Sequence, residues 1–336
     1  MRTKRFPGCR IKVPRSTLIL FPIVLLSLIA GIVHAQEPTE TVRIESELVD
    51  LKVSVLGLES ETPAPLLEQK DFQVLEDGVP QEVTLFEAAD APFDLVLLLD
   101  LSGSTADKLK MIRRSAKRFV AATRSIDRIA VVAFTDHVAV LSPFTLDRRR
   151  LKKDIDAIDE AYGGTNFWDS LNYVLREFVP LARGLRRTAV VVMTDGVDNA
   201  LPGVDGPGSH TTFDELLGNV RDSEGIVFPV YLDTEKEDTK RHHIPRAAYA
   251  QARAQLAQLA SACGSSFYRA GKLKDLDGVY KRVIRDLGTV YSIGYRPTNR
   301  LLDGKWRSVS VQLIGRPNLL ARTKRGYYSK QSSEQQ

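Results

Sequence analysis

The chain has 336 residues, of which 43% are hydrophobic and 26% are charged. This composition allows two domains with a buried core and excludes a disordered chain, a collagen and a coiled coil. The net charge is +5, but six basic residues and no acidic residue lie within residues 1–35, which leaves the remainder at −1. We therefore do not expect a basic surface for nucleic acid.

The N-terminus predicts a secretory signal peptide over residues 1–35. A basic beginning is followed by an apolar run from Leu18 to Val33, and the run closes on the small residue Ala35. These are the three parts of a signal peptide, so we expect cleavage after Ala35 and an exported protein, secreted or periplasmic. An uncleaved membrane anchor is the alternative, and it would be the chain's link to a membrane.

Residues 36–90 have the alternating pattern of β-strands. Apolar residues occupy every second position from Val49 to Val55, and Phe72 and Val74 begin a second strand. The residues Glu76-Asp77-Gly78 predict a hairpin turn. A further strand is expected over residues 83–86.

Residues 91–288 predict a different architecture, in which apolar strands alternate with amphipathic helices. Helical spacing of apolar residues predicts helices from Leu109 to Val120 and from Leu171 to Val179. The alternation indicates an α/β fold with a doubly wound, mostly parallel sheet. Val138–Leu141 follows a tight turn and predicts an antiparallel edge strand. The short apolar runs that predict buried strands are Phe93–Leu99, Ile129–Phe134, Ala189–Met193 and Ile226–Leu232.

Residues 289–330 return to a strand pattern. This C-terminal segment and residues 36–90 are each too short to bury a core alone, since isolated hairpins are marginal in water. We therefore expect the α/β domain to be inserted into a smaller, sandwich-like β domain built from both chain ends. Residues 331–336 are expected to form a disordered tail.

Oxygen-bearing residues follow two of the predicted strands. Asp100, Ser102 and Ser104 come after the first strand, Asp195 comes after the third, and Thr165 lies in a glycine-rich loop between them. In doubly wound sheets, ligands bind beyond the carboxyl ends of the strands. Two carboxylates and three hydroxyls, without His or Cys, predict a site for Mg²⁺, Mn²⁺ or Ca²⁺ rather than zinc.

These motifs resemble a known site. Asp-x-Ser-x-Ser from Asp100, Gly-Thr at Thr165 and Thr-Asp-Gly around Asp195 are similar to the metal-ion-dependent adhesion site of von Willebrand factor type A domains, over about residues 92–288. The resemblance implies a divalent cation, Mg²⁺ first, bound by the hydroxyls of Ser102, Ser104 and Thr165 and, directly or through water, by the two Asp. It also implies an open metal position for a Glu or Asp carboxylate of a protein partner.

The segments around the α/β domain resemble those of bacterial secreted proteins in which a type A domain lies between β segments. Asp71–Gly78 and Arg325–Tyr328 carry this similarity. The chain departs from the pattern at Gly57–Pro65, which leaves the second strand pairing open.

The resemblance favours a non-enzymatic binding or adhesion module. One alternative is an Asp-dependent phosphatase or phosphotransferase with Asp100 as nucleophile, but Ser102 occupies the position where a second carboxylate would act as acid or base. Another is a scaffold that the metal only stabilises. A serine hydrolase is disfavoured, because neither Ser102 nor Ser104 lies in a Gly-x-Ser-x-Gly motif.

Other conspicuous residues have ordinary structural interpretations. Cys263 is expected to be a small buried residue, and Asp233 a loop or capping residue. His242-His243 is interpreted as part of a solvated insertion rather than a zinc site, and Arg148–Lys153 as a charged helix face. Trp168 is either a core residue or a contact residue beside the metal.

Overall fold

Strands and helices alternate through the middle of the chain, and strands occupy both ends. The computed structural model describes residues 48–57, 66–181, 186–235, 244–271 and 273–331. The strands in these ranges are β1 (Val49–Gly57), β2 (Phe72–Glu76), β3 (Val79–Gln81), β4 (Val83–Glu87), β5 (Phe93–Asp100), β6 (Arg128–Phe134), β7 (Val138–Thr145), β8 (Arg187–Thr194), β9 (Ile226–Leu232), β10 (Tyr268–Ala270), β11 (Val290–Tyr295), β12 (Trp306–Leu313), β13 (Leu319–Arg322) and β14 (Gly326–Tyr328). The α-helices are α1 (Leu109–Ala122), α2 (Arg148–Asp156), α3 (Phe167–Glu177), α4 (Phe213–Asp222), α5 (Arg246–Ala262) and α6 (Leu273–Leu287).

The central sheet has six strands in the order β10-β9-β8-β5-β6-β7. All neighbours are parallel except β7, which pairs antiparallel with β6 at the edge, as the sequence predicted. β5 and β9 are buried along their whole lengths, because helices cover the sheet. The strand order reverses at β5, so its carboxyl end lies at the topological switch point of the sheet.

The helices form two contacting groups, α1 with α2 and α6, and α3 with α4 and α5. The β-α-β connections run from the centre of the sheet toward one edge and then toward the other. Because such connections are right-handed, they place the two helix groups on opposite faces of the sheet. The first predicted apolar stripe is buried in α1, except for Leu109, which is partly buried. The second prediction begins four residues late and extends two residues too far, since α3 spans Phe167–Glu177 and Val179 lies in a short 3₁₀ helix. The basic run opens α2, where the carboxylate of Asp147 caps the helix by accepting from the amides of Arg149 and Arg150.

Strands from both ends of the chain pair in two antiparallel sheets. One sheet has the order β13-β1-β11-β4 and the other β14-β12-β2-β3. Leu51, Val74, Ile293 and Val309 lie in one shared hydrophobic core between them. The fold class is therefore confirmed, with a mostly parallel α/β sheet inserted between β segments that complete each other. The residue bounds proposed for the domains stay predictions.

The predicted Asp-Gly hairpin joins β2 to the short strand β3. Asp77 and Gly78 have φ angles of 48° and 81°, the left-handed conformation that a two-residue hairpin turn requires. The strand after it, β4, crosses to the other sheet and pairs with β11.

Several predictions concern residues outside the described ranges. They are the signal peptide over residues 1–35, residues 58–65 of the departure from the family pattern, His242-His243, and residues 332–336 of the tail. Within the described ranges, no helix is both long and apolar enough to cross a membrane.

Candidate metal centre

The carboxyl ends of β5 and β8 bring the two predicted carboxylates to one edge of the central sheet. β5 ends at Asp100, and β8 ends one residue before Asp195. The strands are parallel neighbours with Leu99 opposite Met193, so their ends coincide. The pairing of two buried strands therefore places both carboxylates at the switch point, where ligands of such sheets bind.

A chain of hydrogen bonds joins four of the five predicted residues. Ser102 Oγ donates to Asp100 Oδ1 at 2.5 Å and lies 3.2 Å from Ser104 Oγ, which in turn donates to Asp195 Oδ2 at 2.8 Å. The loop is held by Thr105, whose hydroxyl donates to the carbonyls of Asp100 and Ser102. Four oxygen-bearing side chains that are up to 95 residues apart in the sequence thus converge.

Thr165 lies in a neighbouring loop that the protein backbone ties to the same site. Gly103 N donates to Gly163 O at 3.1 Å, and Asn199 N donates to Thr165 O at 2.9 Å. A Cβ at Gly164 would lie 2.7 Å from Asn199 Nδ2, so a side chain there would displace the amide whose Oδ1 accepts from Thr165 N. Within the described residues, no hydrogen bond joins the Thr165 hydroxyl to the other four side chains.

The two carboxylates have neutral hydrogen-bond donors. Asp100 accepts from Ser102 and from the Thr194 hydroxyl, and Asp195 accepts from Ser104, the Thr234 hydroxyl and the amide of Val197. No described Lys, Arg or His side chain forms an ion pair with either. Burial, and secondly the charge of Asp195, raises the pKa of Asp100, and burial raises that of Asp195.

The candidate ligand atoms fit a hard divalent cation. Every candidate ligand is an oxygen atom, from two carboxylates and three hydroxyls, which suits Mg²⁺, Mn²⁺ or Ca²⁺. A cation would also offset the repulsion of two buried carboxylates, which have no basic partner in the described residues. No group of three or more His, Cys, Asp and Glu side chains that could hold a metal ion occurs in the described part of the chain. Any cation at this site would therefore depend on the hydroxyls.

The site is more enclosed than its position at strand ends predicts. Asp100, Ser102 and Asp195 have no exposed surface, and Thr165 is 4% exposed. Ser104 is partly exposed. Ser104 is therefore the predicted ligand through which the site meets solvent.

Sequence reasoning missed three residues that position the site. Thr194 donates to Asp100 Oδ2 at 2.5 Å, and Thr234 donates to Asp195 Oδ2 at 2.8 Å. Asp198 accepts from the Trp168 amide and the Ser209 hydroxyl, which fixes the start of α3 behind Thr165. Thr194 belongs to the Thr-Asp-Gly motif and could have been found, whereas the only signal for Thr234 is its place just after a predicted strand.

The remaining candidates have structural roles. Trp168 is a core residue, 7% exposed and packed against Phe213 with ring centroids 5.9 Å apart. Cys263 is buried at the end of α5, as predicted, and burial raises its thiol pKa. Asp233 accepts a hydrogen bond from Arg269 at 3.2 Å. None of these side chains hydrogen-bonds to the predicted metal ligands in the described ranges.

Comparison with known proteins identifies the central region. Residues 95–197, which run from β5 to just past the end of β8, match the family model of the von Willebrand factor type A domain. None of the curated proteins compared with the chain matches it.

Solved structures that are similar to this chain include the following three proteins. A von Willebrand factor type A protein from Catenulispora acidiphila is 13% identical, and the match covers 83% of this chain and 76% of that one with a TM-score of 0.47. The vWF domain of the type V pili tip protein Mfa5 from Porphyromonas gingivalis is 15% identical over 58% of this chain and 94% of its own, with a TM-score of 0.44. Proximal thread matrix protein 1 from the mussel byssus, solved with a zinc-occupied MIDAS motif, is 17% identical over 58% of this chain and 48% of its own, with a TM-score of 0.44.

Proposed function

We propose that this protein is an exported binding module that captures an acidic group of a protein partner through a divalent cation. The cation would be held by Asp100, Ser102, Ser104, Thr165 and Asp195. The observation that carries the proposal is the hydrogen-bonded chain from Asp100 to Asp195 at the switch point of the sheet. Mg²⁺ is the first candidate, with Mn²⁺ or Ca²⁺ as alternatives, because all of the donors are hard oxygens.

The balance of charged and neutral ligands supports capture of a carboxylate. Where the two Asp bind through water, the direct ligands of the cation are neutral hydroxyls, and the cation can still attract an anionic group from outside. The partly exposed Ser104 is the ligand nearest to solvent. A Glu or Asp side chain of the partner would therefore complete the coordination from that side.

The arrangement does not favour turnover. Asp100 is fully buried, and both of its oxygens accept hydrogen bonds, so it is poorly placed as a nucleophile. Ser102 stands where a phosphatase would need a second carboxylate. We therefore propose a non-enzymatic role. Export is proposed from the signal-like residues 1–35, with cleavage after Ala35.

Metal titration of matched variants tests the site. We expect Mg²⁺ and Mn²⁺ to bind wild-type protein in calorimetric titrations and Ser102→Ala to bind at least tenfold more weakly. Ser115→Ala, which removes a buried hydroxyl in α1 outside the site, should bind like wild type. Equal affinity of wild type and Ser102→Ala, with both folded, would refute the site.

Manganese spectroscopy tests carboxylate capture with acetate as the probe. Acetate should change the electron paramagnetic resonance spectrum of protein-bound Mn²⁺, and chloride at the same ionic strength should not. A bound ion whose spectrum does not respond to acetate would instead support the structural scaffold. The acetate experiment therefore separates metal binding from carboxylate capture.

A further inference from the structure

A cavity lies beside the candidate metal centre, between the β6–β7 turn and the loop that leads to Thr165. Its volume is about 380 Å³, toward the lower end of the roughly 300–1,000 Å³ typical of small-molecule pockets. A space of this size suits one or two side chains. Its lining includes Leu101, Phe134, Asp136, Ala139, Leu141, Glu160 and Tyr162; we call it the side pocket.

The side pocket and the metal centre share the same backbone. Leu101 lies in the chain between the ligands Asp100 and Ser102. Its amide donates to Phe134 O, and its carbonyl accepts from Tyr162 N, both at 2.9 Å. These bonds join the walls of the pocket to the segment that carries three of the predicted ligands.

The Thr165 loop also connects the two. A Cβ at Gly163 would lie 3.2 Å from Asp136 Oδ1, so the turn that lines the pocket packs directly against this loop. Gly163 O accepts from Gly103 N between Ser102 and Ser104. A partner segment that reaches the metal from this side therefore passes over the side pocket.

The lining has an apolar interior and an acidic rim. Leu101, Phe134 and Leu141 provide the apolar wall. Tyr162 also lines the pocket and is 64% exposed. The exposed Asp136 and Glu160 add carboxylates at the rim.

We infer that the side pocket receives an apolar side chain of the protein partner, close in sequence to the carboxylate that binds the metal. The inference rests on the proposed function and deepens it, because it defines the partner's recognition motif as an acidic residue beside an aliphatic or aromatic one. The acidic rim repels a second carboxylate, so the charged group goes to the metal and the apolar group goes to the pocket. The short backbone connection between the sites allows one extended segment to reach both.

Two neighbouring residues of β7 provide a matched pair of variants. Ala139 lines the pocket and is exposed, whereas Val140 is 46% exposed and does not line it. Successive residues of a strand point to opposite faces. Ala139→Glu therefore places a carboxylate in the pocket, and Val140→Glu places the same charge on the other face of the same strand. Thermal unfolding should show that both variants are folded.

Peptide selection tests the motif. A random phage-displayed peptide library is panned on immobilised wild-type protein in Mn²⁺ and eluted with chelator, and the recovered peptides are sequenced. We expect enrichment of Asp or Glu with Leu, Ile, Phe or Trp within two residues of it. A synthetic peptide of the enriched sequence should bind Ala139→Glu about 10- to 100-fold more weakly than wild type and should bind Val140→Glu within about twofold of wild type.

The outcomes separate the two proposals. Chelator-eluted peptides enriched in acidic residues without an apolar neighbour would overturn the side pocket and leave the proposed function standing. Equal weakening by Ala139→Glu and Val140→Glu would also overturn the side pocket, because the effect would then follow charge alone. A selection without acidic enrichment would overturn both.

Discussion

The two ends of β5 carry buried aspartates in opposite electrostatic surroundings. At the amino end, Asp94 accepts from Arg128 Nε at 2.8 Å and from Arg186 Nε at 2.6 Å. At the carboxyl end, Asp100 accepts from hydroxyls and an amide and lies near a second carboxylate, Asp195. Both Asp94 and Asp100 have no exposed surface, so burial alone does not distinguish a structural carboxylate from a candidate metal ligand.

The difference lies in which group balances the charge. The arginines neutralise Asp94 within the chain, because a buried carboxylate is costly unless it is paired. Asp100 and Asp195 have no such partner in the described residues, and their pKa values are raised. Unbalanced buried charge is a common mark of a functional site. We propose that a cation from solution neutralises the carboxylates at the carboxyl end, as the arginines neutralise Asp94 at the amino end.

The largest expected effect is the loss of metal binding on Asp195→Asn. The amide keeps the size of the side chain and removes the charge that attracts the ion, so Mn²⁺ affinity should fall about 100-fold, or 2.7 kcal/mol. Calorimetric titration measures the change. Asp94→Asn, the corresponding change at the other end of the sheet, should leave the affinity within about twofold of wild type, and a similar loss in both variants would contradict the comparison.

The second expected effect is a loss of stability, and we expect it in Asp94→Asn rather than in Asp195→Asn. Asp94→Asn leaves two guanidinium groups without their carboxylate and should lower the free energy of unfolding by about 2 kcal/mol. The value is at the modest end because Arg128 and Arg186 are 30% and 22% exposed. Urea unfolding without metal measures it.

Asp195→Asn should not destabilise the metal-free protein at neutral pH. Because the pKa of Asp195 is raised in the folded state, its ionised form opposes folding above its ordinary pKa, and a neutral amide removes that penalty. A loss of 2 kcal/mol or more in this variant would show that the carboxylate is structural, like Asp94.

The sequence predicted the strands of the central sheet and the candidate ligands after β5, because both have strong sequence patterns. Four apolar runs predicted four strands of the central sheet within two residues at either end, and the Asp-x-Ser-x-Ser spacing predicted which oxygens gather after β5. Buried strands are nearly continuous in apolar character, so their identification did not depend on tertiary contacts.

The rest depended on contacts between distant segments. Thr234 meets Asp195 from 39 positions away, and Asp198 reaches back 30 positions to the start of α3. A single Thr or Asp after a strand has no periodic signal, so only the fold reveals its partner. The short strand β14 was also missed, because three residues are too few for a pattern, although it carries part of the quoted Arg325–Tyr328 segment.

The smallest expected effect concerns the residue that the sequence did not reveal. Thr234→Val removes the hydroxyl that donates to Asp195 Oδ2 at 2.8 Å and keeps the shape of the side chain. Asp195 retains its hydrogen bonds to Ser104 and to the Val197 amide, so we expect its side chain to stay in place but to be held less firmly. Groups that orient a ligand typically contribute 10- to 100-fold to metal affinity, and with two donors left we expect about tenfold, or 1.4 kcal/mol.

The matched control lies at the amino end of the same sheet. Thr188 in β8 is 3% exposed, and its hydroxyl has no partner among the described residues. Thr188→Val removes a buried hydroxyl from the structural end of the sheet, so its Mn²⁺ affinity should match wild type in the same titration. If Thr234→Val also matches wild type, Asp195 is held by its other donors alone. If both variants lose affinity equally, the effect spreads through the sheet, and the two ends are not the independent regions that Asp94 and Asp100 indicate.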